Sequence, residues 1–182
     1  MPRLPSGILG GAACCDITMR LRLLLLMFSV VPMVGCDHAT KYWAESQLQG
    51  AEPIQVLPNV LSLTYVRNFD VAFHALRHVP EAWKFWLIVG AGLLAITFVT
   101  FVLLSRRLPL LEASAYALVL SGAIGNVSDR LLRGYVVDFI HLEYWPVFNV
   151  ADAWVVAGVV LLLVSAFIYR GPAQPAVSRA SG

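Results

Sequence analysis

Two aspartates, Asp138 and Asp152, lie in apolar stretches where a charged side chain is costly. Asp138 follows two valines and precedes Phe139, while Asp152 lies between two alanines at the start of a long apolar run. Unpaired carboxylates in apolar surroundings have raised pKa values and tend to share a proton. A proton-sharing pair can activate water and protonate a carbonyl oxygen, as in aspartic proteases. A proton or cation relay would use the same two acids, so spacing alone leaves both functions open.

Two pairs of polar residues have the spacing of neighbours on one face of a helix. Asp37 and Lys41 are four residues apart, so on a helix they share a face and are expected to form an ion pair. Asn149 precedes Asp152 by three residues and shares its helix face. These spacings predict helix ends that carry polar groups on one side.

A third polar set is formed by Asn126, Asp129 and Arg130, which have helical spacing. We expect a salt bridge between Asp129 and Arg130, which would keep the carboxyl group of Asp129 ionised. A helix end satisfied by polar groups is the simpler structural explanation of this set.

The composition predicts that these residues belong to a membrane protein. The chain has 182 residues, of which 59% are hydrophobic and 13% charged; soluble domains have about 25% charged residues. A membrane-spanning helix needs about 20 mostly apolar residues. Four stretches qualify, at about Leu21–Trp43, Trp83–Leu104, Leu108–Val127 and Phe148–Tyr169.

The orientation of the four spans follows from the short loop Ser105–Pro109, which contains Arg106 and Arg107 and no acid. The positive-inside rule assigns this loop, and with it both chain termini, to the cytoplasm. Spans one and three then end outside, and span four begins outside. All of the polar sets above are therefore predicted to lie at the outer face of the membrane.

The segment between spans one and two, residues 44–82, is long enough for structure of its own. Residues 53–68 show strand-like alternation and predict a small extracytoplasmic β-sheet on the membrane surface. Residues 69–80 are expected to form a short interfacial helix that ends at Pro80. The predicted fold class is a mainly α membrane protein with four transmembrane helices and this small sheet and interfacial segment between helices one and two.

Three regions are predicted along the chain. Residues 1–18 are expected to be an N-terminal extension, disordered or upstream of a true start at Met19, and to carry no function. Residues 19–170 form the four-helix membrane domain, and residues 171–182 form a disordered polar tail.

Several other kinds of site are disfavoured. The four histidines lack metal-ligand spacing, so no metal is expected. The net charge of +2 comes without a basic stripe, so no nucleic acid partner is expected. Ser128 lacks a suitable base and no G-x-S-x-G motif occurs, which disfavours serine catalysis.

Two alternatives concern the whole chain. The stretch Met33–Cys36 resembles a lipobox, which would make the chain a lipoprotein. Cleavage before Cys36 would, however, remove the first span and leave three more. A purely structural membrane subunit would leave the two apolar-flanked acids unexplained.

Three motifs, in order and in the expected places, closely resemble those of the lipoprotein signal peptidases (signal peptidase II), a family of bacterial membrane aspartic proteases. DHATK at 37–41 resembles the family's D-x-x-[ST]-K, and GAIGNVSDRLLRGYVVDFI at 122–140 resembles its GN-x-x-DR and VVDF block. FNVAD at 148–152 resembles its FN-x-AD. The resemblance extends from Met19 to Arg170.

The resemblance implies specific roles. Asp138 and Asp152 correspond to the catalytic pair. The residues that correspond to substrate-binding positions are Asn68, Asn126, Arg130 and Asn149. The residues that correspond to positions organising the site are Asp37, Lys41 and Asp129. The implied enzyme uses no cofactor or metal, lies in the bacterial cytoplasmic membrane, and cuts prolipoproteins on the N-terminal side of a diacylglyceryl-modified cysteine.

One position departs from the family pattern. The family commonly has N-x-GAAF in the outer loop, whereas residues 68–73 here read NFDVAF. Asp70 therefore replaces a glycine, which places the usual loop shape and substrate preference in question but leaves the catalytic acids unaffected.

Overall fold

The computed structural model describes residues 10–70, 78–105 and 108–169. Within these ranges the chain forms four α-helices and three β-strands. The helices are α1 (Gly10–Leu48), α2 (Glu81–Ser105), α3 (Leu110–Arg133) and α4 (Val150–Tyr169), and the strands are β1 (Ile54–Leu57), β2 (Leu61–Asn68) and β3 (Val136–Leu142). The predicted mainly helical architecture with a small sheet is confirmed.

Three of the described helices are long and apolar enough to cross a membrane, over Trp83–Ser105, Leu110–Arg133 and Val150–Ile168. They correspond to the second, third and fourth predicted spans. The first predicted span lies inside α1 and is helical, but it is not among the three. Helix α3 packs against α1, α2 and α4 and is the centre of the bundle.

Helix α1 is longer than predicted at both ends. It begins at Gly10, so residues 10–18 of the predicted N-terminal extension are helical in the structure. Beyond the predicted end of the span, α1 continues to Leu48, where Ala44 and Leu48 are buried against β3. This extra length exists because the sheet covers the apolar side of the last turns. Residues 1–9 and 170–182, which contain the rest of both predicted tails, lie outside the described residues.

Helix α3 also exceeds its predicted span and ends at Arg133. Gly134 ends it with φ 81°, a left-handed conformation that glycine adopts without a steric penalty, and its N–H donates to the carbonyl of Arg130. Gly122 lets α3 approach α4 closely, because a Cβ atom there would overlap the carbonyl of Ala151. The tight contact brings the start of α4 beside the end of α3.

The sheet is antiparallel, with the order β1-β2-β3. Strand pairing joins Gln55 to Ser62 and Asn68 to Val136. The two-stranded part agrees with the prediction for residues 53–68, and Ser62 in β2 is buried. Strand β3 was missed, since residues 136–142 were treated as a connection between spans three and four. Most of the predicted interfacial helix, residues 71–77, lies outside the described residues.

Candidate active site

The predicted site residues come from five separate elements that meet at one end of the bundle. They are Asp37 and Lys41 on α1, Asn68 at the end of β2, Asn126, Asp129 and Arg130 on α3, Asp138 on β3, and Asn149 and Asp152 at the start of α4. Hydrogen bonds and ion pairs connect all nine residues into a network. The predicted convergence of these polar groups is therefore observed.

Asp138 is buried in the middle of β3, and each of its oxygens accepts one asparagine amide. Asn149 donates from Nδ2 to Oδ1 at 2.6 Å, and Asn68 donates from Nδ2 to Oδ2 at 2.8 Å. Burial raises the pKa of Asp138 from 3.8 to about 6, and the nearby charge of Asp152 acts in the same direction, while the two amide donors oppose the shift. This carboxyl group therefore takes up and releases its proton at a pH closer to neutrality than an ordinary aspartate does.

Asp152 and Asn149 form a reciprocal cap at the N-terminus of α4. The backbone N–H of Asp152 donates to Asn149 Oδ1 at 3.1 Å, and the backbone N–H of Asn149 donates to Asp152 Oδ2 at 3.2 Å. This is a capping box in which Asn and Asp occupy the N-cap and third helical positions. The cap fixes the direction of the Asp152 carboxylate, and its position in the first helical turn stabilises negative charge there.

Two asparagine side chains connect the two acids. Asn126 donates from Nδ2 to Asp152 Oδ1 at 2.7 Å. Asn149 donates from Nδ2 both to Asp138 and to Asn126 Oδ1, the latter at 3.2 Å. The chain Asp138–Asn149–Asn126–Asp152 holds carboxyl groups from β3 and α4 in one network without neutralising either with a cation.

Beneath this network lies a fully buried charge cluster centred on Lys41. Its Nζ contacts Asp37 Oδ2 at 2.7 Å, Asp129 Oδ2 at 2.9 Å and Asn126 Oδ1 at 3.2 Å. The predicted Asp37–Lys41 ion pair is confirmed. Asp37 also accepts the backbone N–H of Ala151 at 2.9 Å, so this cluster fastens α1 to the start of α4 as well as to α3.

The predicted salt bridge between Asp129 and Arg130 is wrong. Asp129 contacts Lys41 and, at 3.6 Å, Arg133, which is one helical turn further along. Consecutive residues on a helix point in different directions, so adjacent Asp129 and Arg130 cannot face each other. Arg130 instead donates to two backbone carbonyls, those of Asn126 at 3.2 Å and Asp70 at 3.0 Å.

Arg130 also lines a cavity of about 140 Å³. The other lining residues are Phe69, Lys84, Phe85, Ile88 and Gly134. The sequence analysis does not assign Lys84 to the site; a lysine at the second position of an otherwise apolar span is the signal that could have identified it. Glu112, in the first turn of α3 at the opposite end from the site, accepts a hydrogen bond from Ser165 at 3.0 Å.

Comparison with known proteins identifies the family. Residues 29–168 match the family described as signal peptidase (SPase) II. The chain belongs to the signal peptidase II family. Lipoprotein signal peptidases similar to it include that of Acinetobacter baylyi, 37% identical over 150 residues (80% of this chain and 82% of the relative). That of Hydrogenovibrio crunogenus is 42% identical over 142 residues (74% and 80%).

A solved structure agrees with this assignment. It is a bacterial membrane enzyme studied by the in meso method, with a TM-score of 0.71 and 25% sequence identity, and the alignment covers 83% of this chain and 94% of that one. Signal peptidase II is an aspartic-type endopeptidase, so the prediction that the chain is an enzyme, rather than a proton relay or a structural subunit, is confirmed by the family.

Proposed function

We propose that this signal peptidase II uses Asp138 and Asp152 as its catalytic acids to cut prolipoproteins on the N-terminal side of a diacylglyceryl-modified cysteine. The family activity is removal of the signal peptide from prolipoproteins. The observation that carries the residue assignment is the amide-linked pair itself. Two carboxyl groups from different elements share one hydrogen-bond network, and neither is paired with a cation in that network.

The proposed reaction divides the work between the two acids. Asp138 holds the shared proton, because burial raises its pKa to about 6. Asp152 takes a proton from a water molecule, whose oxygen attacks the scissile carbonyl carbon while Asp138 protonates the carbonyl oxygen. Collapse of the resulting tetrahedral diol breaks the C–N bond as Asp152 gives its proton to the leaving nitrogen and Asp138 takes back a proton from a hydroxyl group of the diol. The products are a signal peptide with a new carboxyl terminus and a lipoprotein whose lipidated cysteine has a free amine.

The surrounding polar residues have two proposed roles. The substrate backbone is bound near the acids by Arg130 and by the side-chain amides of Asn68, Asn126 and Asn149. The Lys41 cluster with Asp37 and Asp129 organises the site, since it joins three helices and contacts Asn126 directly. The chemistry as proposed requires carboxyl groups and water from the site and no cofactor.

The proposed location is the bacterial cytoplasmic membrane, with α1 as a fourth crossing helix beside α2, α3 and α4. Both termini are then cytoplasmic and the acids lie at the extracytoplasmic face. Two observations support this orientation. The arginine-containing segment of the sequence joins the end of α2 to the start of α3, and both of these helix ends are opposite to the acids. Trp83 and Trp86, at the outer start of α2, are exposed. A substrate with a membrane-embedded signal helix and a lipid would reach this depth by diffusion in the bilayer.

The test is cleavage of a purified, diacylglyceryl-modified precursor by purified enzyme in detergent. We expect Asp138→Asn and Asp152→Asn each to lose cleavage by at least roughly 10³-fold, because one half of the proton exchange is removed. Glu143→Gln, which removes an exposed carboxyl group just beyond β3, serves as the matched control and should keep wild-type activity. Rapid cleavage by either Asp→Asn variant, with folding verified by thermal unfolding, would refute the assignment.

A further inference from the structure

The loop that follows β2 begins with Phe69 and Asp70, and Asp70 hydrogen-bonds to two residues of the site, Asn68 and Arg130. The backbone N–H of Asp70 donates to Asn68 Oδ1 at 2.9 Å. With Oδ1 occupied in this way, the Nδ2 group of Asn68 points to Asp138. The position of the Asp70 backbone therefore determines which end of the Asn68 amide faces the acid.

The same residue holds Arg130. The carbonyl oxygen of Asp70 accepts a hydrogen bond from Arg130 Nη2 at 3.0 Å, and Arg130 Nη1 donates to the carbonyl of Asn126. Asn126 in turn donates to Asp152. A shift of the Asp70 backbone would thus disturb contacts leading to both acids.

The side chain of Asp70 ties this loop to α2. Its Oδ2 lies 3.8 Å from Lys84 Nζ, and the two side chains are only 16% and 11% exposed. Lys84 lines the cavity beside Arg130, so the ion pair forms part of the cavity wall. Within the described residues, the only non-glycine residue with positive φ is Asn59, so position 70 does not need the glycine that is common in the family.

From these contacts we infer that Asp70 and Lys84 are a pair of positioning residues, whose ion pair holds the loop so that Asn68 and Arg130 face the catalytic acids. The inference rests on the proposed function of Asp138 and Asp152. It also explains the departure from the family pattern, because the carboxylate that replaces glycine at position 70 forms an ion pair with a buried lysine on α2. A partly buried pair of this kind is sensitive to the loss of either partner.

The test measures kcat, KM and the pH profile of lipidated-precursor cleavage for Lys84→Met and Asp70→Asn. Each is expected to lower kcat by about 10- to 100-fold, as small misplacements of catalytic groups do. The amide of Asn68 favours the ionised form of Asp138, so its displacement should raise the pKa of that acid. The alkaline limb of the profile should then move up by roughly one pH unit.

Further variants separate positioning from general damage. The double variant should be no worse than either single one, because both act through one contact. Lys84→Arg keeps the cation and should restore most activity. Glu45→Gln, which removes a carboxylate paired with Arg133 at the same end of the protein, is the matched control and should change neither kcat nor the profile.

Each outcome has a defined meaning. The charged groups acting on Asp138 include Asp152, Lys41 and Arg130, and none of these residues is substituted in these variants. Wild-type kinetics for Lys84→Met, or lower activity with an unmoved pH profile, would overturn the inference while leaving the assignment of the acids intact. Activity in Asp138→Asn would instead overturn the proposed function.

Discussion

Replacing Asp138 with asparagine should make the enzyme inactive and, as pH rises, increasingly more stable relative to the wild type. In the unfolded chain this carboxyl group ionises near its ordinary pKa of 3.8, whereas burial raises the folded-state pKa to about 6. The folded protein therefore binds more protons between these values, so wild-type stability falls as pH rises through this window. At about 1.36 kcal/mol per pKa unit, the loss between pH 4 and pH 7 is about 2–3 kcal/mol.

The measurement is thermal unfolding of both proteins in detergent, followed by tryptophan fluorescence from pH 4 to pH 7. Asparagine also changes the hydrogen bonds to Asn68 and Asn149, but that effect does not vary with pH and only offsets the curves. The difference in Tm between variant and wild type should grow by roughly 5–10 °C across the range. Parallel curves would refute the reasoning, and Glu143→Gln should give such parallel curves as the control.

Three further results are expected. Lys41→Met should destabilise the protein by about 3–5 kcal/mol in denaturant titrations, because it removes the cation that two buried carboxylates share; unchanged stability would show that their other contacts are sufficient. Gly122→Ala should cost about 1–3 kcal/mol, since a Cβ there overlaps a carbonyl of α4, whereas Gly90→Ala, with nothing within 4 Å, should be neutral or slightly stabilising in the same assay. Asn68→Ala should cut kcat by about tenfold and move the alkaline limb upward, because it removes a donor to the ionised form of Asp138; a downward shift would contradict this.

Hydropathy and spacing were sufficient for much of this architecture. The four helices could be predicted because membrane spans leave long apolar runs, and the Asp37–Lys41 pair because a four-residue spacing has one meaning on a helix. The site residues on helices converge at one end because each lies at the same end of its span. What could not be derived from spacing is Asn68, which was assigned through the family resemblance and lies on a strand far from any span.

Other features depend on contacts that no local pattern contains. Strand β3 is recognisable only once β2 is available as its partner, because residues 136–142 could equally be an apolar connection. The partner of Asp129 proved to be Lys41, which lies 88 residues away in the chain. Adjacent opposite charges in a sequence suggest pairing, but helical geometry separates their directions.

The path of the chain between the two acids explains how a sheet and a membrane helix can share one catalytic site. After β3 the chain returns on itself, and the backbone N–H groups of Phe139 and Ile140 donate to the carbonyl of Phe148 at 3.0 and 2.9 Å. This return places the capping box of α4 directly beside Asp138. The hydrogen bonds that start the fourth helix are therefore the same ones that orient Asp152, so formation of the helix end and assembly of the acid pair are a single structural event.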